Sequence, residues 1–513
     1  MSHDTPALVA TKSGKLEGSR EGGLYVFRGI PYAAPPVGKL RWRPPQPLKP
    51  WSGVRPAREF GPIAPQNPLA GSIIPRSEEP QDEDCLFLNV WTPGLDNRRR
   101  PVMVWIHGGA FTIGSGSQAM HNGAGLARKG NVVIVTINYR LGLLGFLRLK
   151  ELTGGGIPST GNEGLLDQVA ALEWVRDNIG AFGGDPANIT VFGESAGAMS
   201  IGCLMAMPAA RGLFHKAILE SGVGSTAVPL DEATGVGERF VKELGIRSDD
   251  DRALRALTPP QLLDVDMRLR TGLAGPGEAV RLTAVAPVVD GEIIPDVPNR
   301  VINNGSASDV KVIVGTNLEE FKLFAAMDPP GVKIDEAVMS RRLRAFVPAG
   351  DIPRLVAAYR KAREKRGEPA TPADLLTAIQ TDLMFRMPAL ELVEAQRDNG
   401  QAAYSYLFTW ESPVMGGMLG ACHALDIGFV FGLYDDAFCG SGPEADKLSG
   451  CIQEAWLAFA RTGDPSGRGI GKWPPYGEGR LTMLLGRDCR VAAAPYDEER
   501  RAWDGITGKS PMP

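Results

Sequence analysis

The stretch ANITVFGESAG, residues 187–197, places a serine between two glycines where an apolar run gives way to a sequence typical of a helix. Gly193 and Gly197 frame Ser195 as G-x-S-x-G. A serine at a sharp strand-to-helix turn can be held exposed on a strained backbone, with the next helix's amino terminus directed at a developing negative charge. Since a glycine-rich loop without function can show the same spacing, the rest of the chain has to decide.

Short apolar runs rich in branched residues alternate with helical patterns along much of the chain. Such runs are typical of buried strands in a mostly parallel sheet; they begin near residues 101, 131, 188, 214 and 309. Between two of them, apolar residues recur at steps of four and three, which predicts a helix packed on the sheet: Leu165, Val169, Leu172, Val175 and Ile179. The alternation predicts an α/β fold.

Three regions depart from this alternation. LVATKSGKLEG and GLYVFRG, within residues 8–29, predict an amino-terminal β-hairpin. Near residues 229–300 and 327–400 the pattern changes to charged helices with prolines, which indicates cap-like insertions over the sheet. Because no fixed-period repeat or low-complexity linker separates these parts, we expect a single catalytic domain over residues 1–513.

Composition bounds the partners of the chain. The content of 43% hydrophobic and 22% charged residues is typical of a globular protein. With a formal charge of −4, the protein lacks the positive electrostatic field that would attract nucleic acid. No apolar run approaches the length needed to cross a bilayer, and the amino terminus does not resemble a signal peptide. We therefore expect a cytoplasmic protein with no nucleic-acid or membrane partner. The sequence predicts no oligomeric state.

The six cysteines give no sign of a metal site. They show neither C-x-x-C spacing nor a dense framework, so a zinc site and a disulfide scaffold are both disfavoured. We expect no metal and no organic cofactor.

A serine nucleophile needs a base, and the chain offers five histidines. On this kind of sheet the catalytic partners follow in the order serine, acid, histidine. Three histidines precede the serine, and His215 falls in the predicted strand directly after the serine's own helix. Only His423 leaves room for an intervening acid, so we predict that His423 is the base.

The acid should stand just past the carboxyl end of a later strand, where it can orient the imidazole. KVIVGTNLEEF, residues 311–321, supplies such a strand with two candidates, Glu319 and Glu320. Residue types alone leave the choice open. Because neighbouring side chains splay apart, we expect one glutamate to point at His423 and the other to be a solvated surface charge.

The glycine turn HGGAF, residues 107–111, follows another predicted strand. Its small residues would let backbone amides approach a substrate closely, as an oxyanion site requires. The likeness of this turn to the H-G-G loop of esterases favours that interpretation over a turn without function.

Eight stretches together resemble the type-B carboxylesterase family, which includes bacterial para-nitrobenzyl esterases and animal cholinesterases: FRGIPYAAPPVGKLRW, EDCLFLNVWTP, VWIHGGAF, NYRLGLLGFL, GNEGLLDQ, AFGGDPANITVFGESAG, GLFHKAILESG and HALDIGFVFG. The resemblance implies an α/β-hydrolase fold and a triad of Ser195, Glu320 and His423. It further implies that the amides of Gly109, Ala110 and Ala196 bind the oxyanion. Glu194 and Ser221 are implied to be buried supporting residues, and Arg41 is implied to form a structural ion pair with Glu83.

The sequence departs from the family pattern at two places. Phe321 stands where the family usually has a glycine after its catalytic glutamate, which bears on the local backbone and on the crowding of the pocket. Secreted relatives pair the cysteine of EDCL with an upstream cysteine, but no cysteine precedes Cys85. That disulfide is therefore not expected.

These features predict a serine carboxylesterase that hydrolyses small-molecule esters through an acyl-enzyme on Ser195. One alternative is a hydrolase specialised for amides, carbamates or a particular natural ester. Another is a non-catalytic adhesion or scaffold relative, which the presence of Ser195, Glu320 and His423 disfavours.

Overall fold

The computed structural model describes residues 7–67, 79–273, 281–328 and 331–506. Within these ranges one large sheet runs across the molecule in the order β1-β2-β3-β5-β7-β6-β8-β9-β12-β13-β14-β15, with β4 pairing with β2 and a small separate sheet of β10 and β11. The strands are β1 Ala7–Thr11, β2 Gly14–Glu21, β3 Leu24–Pro31, β4 Val54–Pro56, β5 Phe87–Thr92, β6 Arg100–Ile106, β7 Val133–Ile137, β8 Gly184–Glu194, β9 Lys216–Glu220, β10 Val228–Pro229, β11 Val288–Val289, β12 Lys311–Asn317, β13 Ala403–Phe408, β14 Leu481–Leu485 and β15 Arg490–Ala493.

The strands from β7 through β14 in this order are parallel, and the flanking strands are antiparallel. All five apolar runs singled out in the sequence form strands of the parallel part, which confirms that prediction. The amino-terminal hairpin is also present: β2 pairs antiparallel with β3, which GLYVFRG forms, and LVATKSGKLEG spans most of β1 and the first half of β2. LVATKSGKLEG thus contributes to two strands, which are joined by a turn at Lys12 and Ser13.

Helices cover both faces of the sheet and fill the two predicted insertions. They are α1 Ala124–Gly130, α2 Gly142–Phe146, α3 Glu163–Asn178, α4 Ala196–Ala206, α5 Leu230–Leu244, α6 Asp251–Arg255, α7 Pro259–Leu273, α8 Pro298–Asn303, α9 Phe321–Ala325, α10 Glu336–Leu343, α11 Ile352–Arg366, α12 Pro372–Thr381, α13 Met387–Asp398, α14 Leu425–Phe431, α15 Pro443–Thr462 and α16 Asp497–Ala502. A π-helical turn, Asp382–Arg386, joins α12 to α13.

The central strands are buried on both faces, as the continuous apolar runs indicated. In β6, Val104 and Ile106 belong to the core on the α3 side of the sheet, whereas Met103 and Trp105 belong to the core on the α15 side. The apolar face predicted for α3 is fully buried in the first of these cores. The sheet is therefore a rigid platform, and its strand ends are well placed to carry a precise site.

The insertion at residues 327–400 has a small core of its own. Leu343 of α10, Leu355 and Tyr359 of α11 and Leu375 of α12 pack together with Ala502 of α16. This cluster joins the insertion to the carboxyl-terminal part of the described chain.

The Arg41–Glu83 ion pair and the absence of a disulfide at Cys85, both expected from the resemblance, are seen in the structure. Arg41 donates to Glu83 through Nε at 2.7 Å, and its Nη1 also donates to the carbonyl of Leu257 at 2.6 Å, so the pair ties separate segments together. All six cysteines are free, and Cys85 is fully buried. In the described ranges, no helix has both the length and the apolar character needed to cross a membrane.

Candidate active site

The turn between β8 and α4 holds Ser195 in a conformation that non-glycine residues seldom adopt, with φ 53° and ψ −123°. The two glycines around it are required by close packing against β6. A Cβ at Gly193 would lie 2.5 Å from the carbonyl oxygen of Ile106, and one at Gly197 would lie 1.9 Å from the same atom. The G-x-S-x-G spacing is therefore a packing requirement as well as a turn signal.

Backbone hydrogen bonds anchor this strained turn. The Ser195 N–H donates to the carbonyl of Glu220 at the end of β9 at 2.9 Å, and the Ser195 carbonyl accepts from Met199 inside α4 at 2.8 Å. The side chain of Ser195 is partly exposed. Within the described ranges its hydroxyl forms no hydrogen bond, so the oxygen is open to an incoming substrate.

The turn HGGAF lies directly beside the serine. A Cβ at Gly108 would stand 3.1 Å from the Cβ of Ser195, so this loop and the β8–α4 turn are in contact. Gly109 and Ala110 both have positive φ, 107° and 52°. In the part of the chain that the structure describes, the N–H groups of Gly109, Ala110 and Ala196 donate to no protein acceptor. An oxyanion site needs free amides of this kind, and these three lie on the serine turn and on the loop that touches it.

Glu320 and His423 meet at the carboxyl end of β12. The Nδ1 atom of His423 lies 2.7 Å from Oε2 of Glu320, and the other carboxylate oxygen accepts from the Asn317 N–H at 2.7 Å. The Glu320 side chain is fully buried, and His423 is 5% exposed. A buried carboxylate on Nδ1 fixes the tautomer in which Nε2 can accept a proton.

Glu319 turns away from the histidine. Its Oε1 pairs with Nζ of Lys322 at 2.7 Å, and its Oε2 accepts from the Ala421 N–H at 3.1 Å. The expectation of a simple solvated charge was wrong, because Glu319 ties the loop that carries His423 to the turn that carries Glu320.

Phe321 fits the turn without disturbing Glu320. Its N–H donates to Oγ1 of Thr381 at the end of α12 at 3.0 Å, and its ring packs on Phe324 with centroids 5.3 Å apart. The residue that replaces the family's glycine is thus held by the helical insertion.

The Nε2 atom of His423 lies 3.1 Å from Oε1 of Glu194, the residue just before the serine. Burial raises the pKa of Glu194. Burial lowers the pKa of His423, but the charges of Glu194 and Glu320 together outweigh it, and the pKa of His423 is raised above its ordinary value. The imidazole is therefore held between two carboxyl groups, and Glu194 contributes directly to its proton affinity.

Ser221, the second predicted supporting residue, also has a positive φ, 53°. Its N–H donates to the Gly315 carbonyl at 2.9 Å, whereas its fully buried Oγ has no hydrogen-bond partner. Ser221 follows β9 directly and lies against the end of β12, so it belongs to the frame of the site.

Sequence reasoning missed further buried polar residues beneath the histidine. Asp426 accepts from Nδ2 of Asn317 at 3.2 Å and from the hydroxyl of Tyr406 at 3.1 Å. Glu220 accepts from Nε1 of Trp456 at 2.7 Å. Burial raises the pKa of both carboxyl groups. The only available signal was the position of Asp426 three residues after His423; Asp426 lies in the first turn of α14, and His423 lies in the turn that precedes this helix.

The other described histidines lie outside this arrangement. His107 stacks on Tyr139 at 4.4 Å and its Nδ1 contacts the Gly108 carbonyl, while burial lowers its pKa to about 3. His121 is buried beside Trp105, and burial lowers its pKa to about 4. His215 lies just before β9, at the opposite end of the sheet, and its Nδ1 accepts from Ile189. His3 lies outside the described residues.

The described ranges contain no group of three or more histidine, cysteine, aspartate or glutamate side chains placed to hold a metal ion. The chemistry that the described residues offer is nucleophilic attack by a serine, proton transfer by a histidine and stabilisation of an oxyanion by backbone amides.

Comparison with known proteins gives consistent matches over nearly the whole chain. The sequence model of the carboxylesterase family matches residues 5–503. The para-nitrobenzyl esterase of Bacillus subtilis is 37% identical, over 97% of this chain and 98% of its own length. A phenmedipham hydrolase of Pseudarthrobacter oxydans is also 37% identical, over 92% of this chain and 93% of its own.

A crystal structure of a Geobacillus stearothermophilus carboxylesterase superposes with a TM-score of 0.86 at 38% identity, covering 97% of this chain and 99% of that one. This likeness confirms the α/β-hydrolase fold expected from the sequence.

Proposed function

The chain belongs to the carboxylesterase family and is a carboxylic ester hydrolase, and we propose that it acts through a triad of Ser195, His423 and Glu320. The observation that carries the proposal is the meeting of a strained serine with three unbonded amides, those of Gly109, Ala110 and Ala196. Neither feature serves the stability of the fold, because a left-handed serine and unpaired N–H groups both raise the energy of the folded state.

Acylation begins when Nε2 of His423 removes the Ser195 proton as the oxygen attacks the ester carbonyl. The tetrahedral oxyanion accepts hydrogen bonds from the three amides, and the amino terminus of α4 adds a favourable dipole. Glu320 stabilises the imidazolium that forms, since its carboxylate is 2.7 Å from Nδ1. His423 then donates its proton to the leaving alcohol, which leaves the acyl group on Ser195.

Deacylation repeats the sequence with water as the nucleophile. His423 removes a proton from the water, a second oxyanion forms in the same amides, and the Ser195 oxygen leaves with the proton from Nε2. Bonds and protons balance in each half, so the protein requires no cofactor for this cycle.

Glu194 acts on the same imidazole from the Nε2 side. In the free protein its carboxyl lies 3.1 Å from the atom that must take the serine proton. We infer that a bound ester shifts Nε2 from Glu194 toward Ser195, because hydrogen bonds of a catalytic base are often misaligned until the substrate is present. Glu194 is then a supporting residue that tunes the histidine.

The substrates are small-molecule esters, and the preferred acyl and alcohol groups are set by pocket residues. We propose to measure kcat/KM for p-nitrophenyl esters of increasing acyl length beside a p-nitroanilide of matched acyl group. Ester turnover should exceed anilide turnover at every length. Phenmedipham is also tested as a substrate, because one relative is named phenmedipham hydrolase. Preferential turnover of the anilide or of phenmedipham would favour the specialised hydrolase instead.

The mutant that tests the nucleophile is Ser195→Ala. Loss of the serine should lower kcat by about 10⁶-fold, as for other serine hydrolases that lose their nucleophile. The melting temperature should not fall, since the alanine removes a partly exposed hydroxyl without hydrogen bonds. A folded Ser195→Ala protein with turnover near wild type would refute the proposal. The cytoplasmic location and the lack of a nucleic-acid partner stay predictions from the sequence.

A further inference from the structure

Two aromatic rings pack against the imidazole of His423, and they come from different parts of the chain. Phe324 lies in α9 and Phe385 lies in the π-helical turn, and each ring centroid is 5.0 Å from that of the imidazole. The two phenyl rings are almost parallel, with 4° between their planes and 6.1 Å between centroids. The imidazole therefore rests against a pair of rings that limits its tilt.

Phe385 owes its place to the π-helical turn Asp382–Arg386. Such turns are rare, occur mostly as single-turn bulges inside α-helices, and are frequent at functional sites. Each residue of an α-helix rotates the next by about 100°. If the turn relaxed to an α-helix, Phe385 would therefore rotate away from His423. In its present position the Phe385 side chain is buried, with 1% of its surface exposed.

Side chains at the first and last residues of the turn clamp it closed. Asp382 accepts from Nε and Nη2 of Arg386, both at 2.6 Å. The hydroxyl of Tyr359 in α11 also donates to Asp382, and that hydroxyl accepts from Nε1 of Trp503 at 2.7 Å. Asp382, Arg386 and Tyr359 are all buried, so their hydrogen bonds are sheltered from water.

We propose that Asp382 is a positioning residue for the reaction: the clamp of Asp382, Arg386 and Tyr359 keeps the π-helical turn intact, and the turn presses Phe385 against His423. The proposal rests on the role of His423 as the base, given above. None of the clamp residues touches the reacting atoms. Their effect passes through one ring contact to the imidazole, whose direction decides whether Nε2 meets the serine proton.

The proposal has a matched test. Asp382→Asn weakens a buried, two-point arginine–carboxylate pair, and Glu83→Gln weakens another pair of the same kind. The exposed fractions of the side chains are 10% for Arg386 and 6% for Asp382. They are 7% for Arg41 and 10% for Glu83, so the two pairs are similarly buried. Both variants should lower the melting temperature. Only Asp382→Asn should lower kcat, by about ten- to a hundredfold as expected for a misplaced catalytic group, with KM for p-nitrophenyl acetate changed less than about twofold.

A double-mutant cycle separates positioning from general damage to the fold. Phe385→Leu should lower kcat to a similar extent, and Asp382→Asn/Phe385→Leu should lose little more than Phe385→Leu alone, because the clamp acts through that ring. Losses that multiply independently would overturn the proposal, as would equal kcat values for Asp382→Asn and Glu83→Gln.

If Asp382→Asn fails to fold, Tyr359→Phe removes one hydrogen bond of the clamp and leaves the ion pair intact. It should lower kcat a few-fold without changing KM, and an unchanged kcat would overturn the proposal. His423→Ala distinguishes a failure of the proposed triad from a failure of the proposed clamp. Activity retained in His423→Ala would refute the triad itself, whereas its loss together with a fully active Asp382→Asn would refute only the clamp.

Discussion

The nucleophile and its base are built in contrasting ways. The turn at Ser195 is specified within five residues: Gly193 and Gly197 fit against the Ile106 carbonyl, and the strained serine stands between them. The base is assembled from segments far apart in sequence, since His423 meets Glu320 across 103 positions. The nucleophile can therefore be recognised from a motif, whereas the base depends on how the whole chain packs.

The difference also concerns tolerance to change. At the Ser195 turn a single added Cβ would collide with backbone, which cannot move without shifting β6. Around His423 the contacts are side chain to side chain or to loop backbone, so a substitution at a position beside the triad can be accommodated by movement of neighbouring side chains. Phe321 is an example, because it stands where the family usually has a glycine and its ring packs against that of Phe324.

After the loss of Ser195 itself, the largest expected effect lies at the base. Glu320→Gln should lower kcat by about 10³- to 10⁴-fold, because glutamine cannot stabilise the imidazolium or fix its tautomer. Glu319→Gln, one position away, should lower kcat less than about tenfold, since Glu319 pairs with Lys322. Steady-state kinetics of both variants show which glutamate is the triad acid. A larger loss for Glu319→Gln than for Glu320→Gln would assign that role to Glu319.

The same assignment predicts a failure of additivity. A Glu320→Gln/His423→Ala double mutant should resemble His423→Ala alone, because an absent base leaves its orienting carboxylate nothing to orient.

The next effect lies in the oxyanion loop beside the nucleophile. A Cβ at Gly109 would lie 2.2 Å from the carbonyl of Ile113, and its φ of 107° is unfavourable for alanine. Gly109→Ala should displace the loop amides and lower kcat by about 10²- to 10³-fold. Ala110→Gly is the matched control, because glycine accepts the φ of 52° without strain. Equal kcat values for the two variants would show that the loop does not bind the oxyanion.

A smaller effect should appear as a shift in pH dependence. Only neutral His423 can act as the base, so kcat/KM should rise with pH through the pKa of the histidine, which is raised above its ordinary value. Glu194→Gln removes a charge that raises this pKa. The rising limb should therefore move to lower pH, by about one unit.

Glu319→Gln serves as the control for that profile, because its carboxylate faces Lys322 and should leave the limb unmoved. A limb that stays in place for Glu194→Gln, or moves to higher pH, would contradict the contact between Glu194 and His423.

The smallest effect concerns the cysteines. All six are free, so a reductant should change neither activity nor melting temperature. Thermal unfolding with and without dithiothreitol measures this, and a fall of several degrees on reduction would reveal a disulfide.

Much of this architecture could be predicted from the sequence because it repeats or is local. Apolar runs gave the parallel strands, spacing gave the buried face of α3, and the order of the partners selected His423. Glu319 was misjudged because nothing in the sequence indicates that Ala421 would lie beside it. Asn317, Thr381 and Phe385 were missed for the same reason, since their roles come from contacts between distant segments.

The central claim is that Ser195 is the nucleophile, and covalent labelling tests it most directly. The protein is treated with diethyl p-nitrophenyl phosphate, digested and mapped by mass spectrometry. We expect one diethylphosphoryl group, on the peptide containing Ser195, in step with the loss of esterase activity, and much slower labelling of His423→Ala. Ser221 is the informative alternative, because it too is a left-handed serine at a strand end. A label on Ser221, or full inactivation with Ser195 unmodified, would contradict the account.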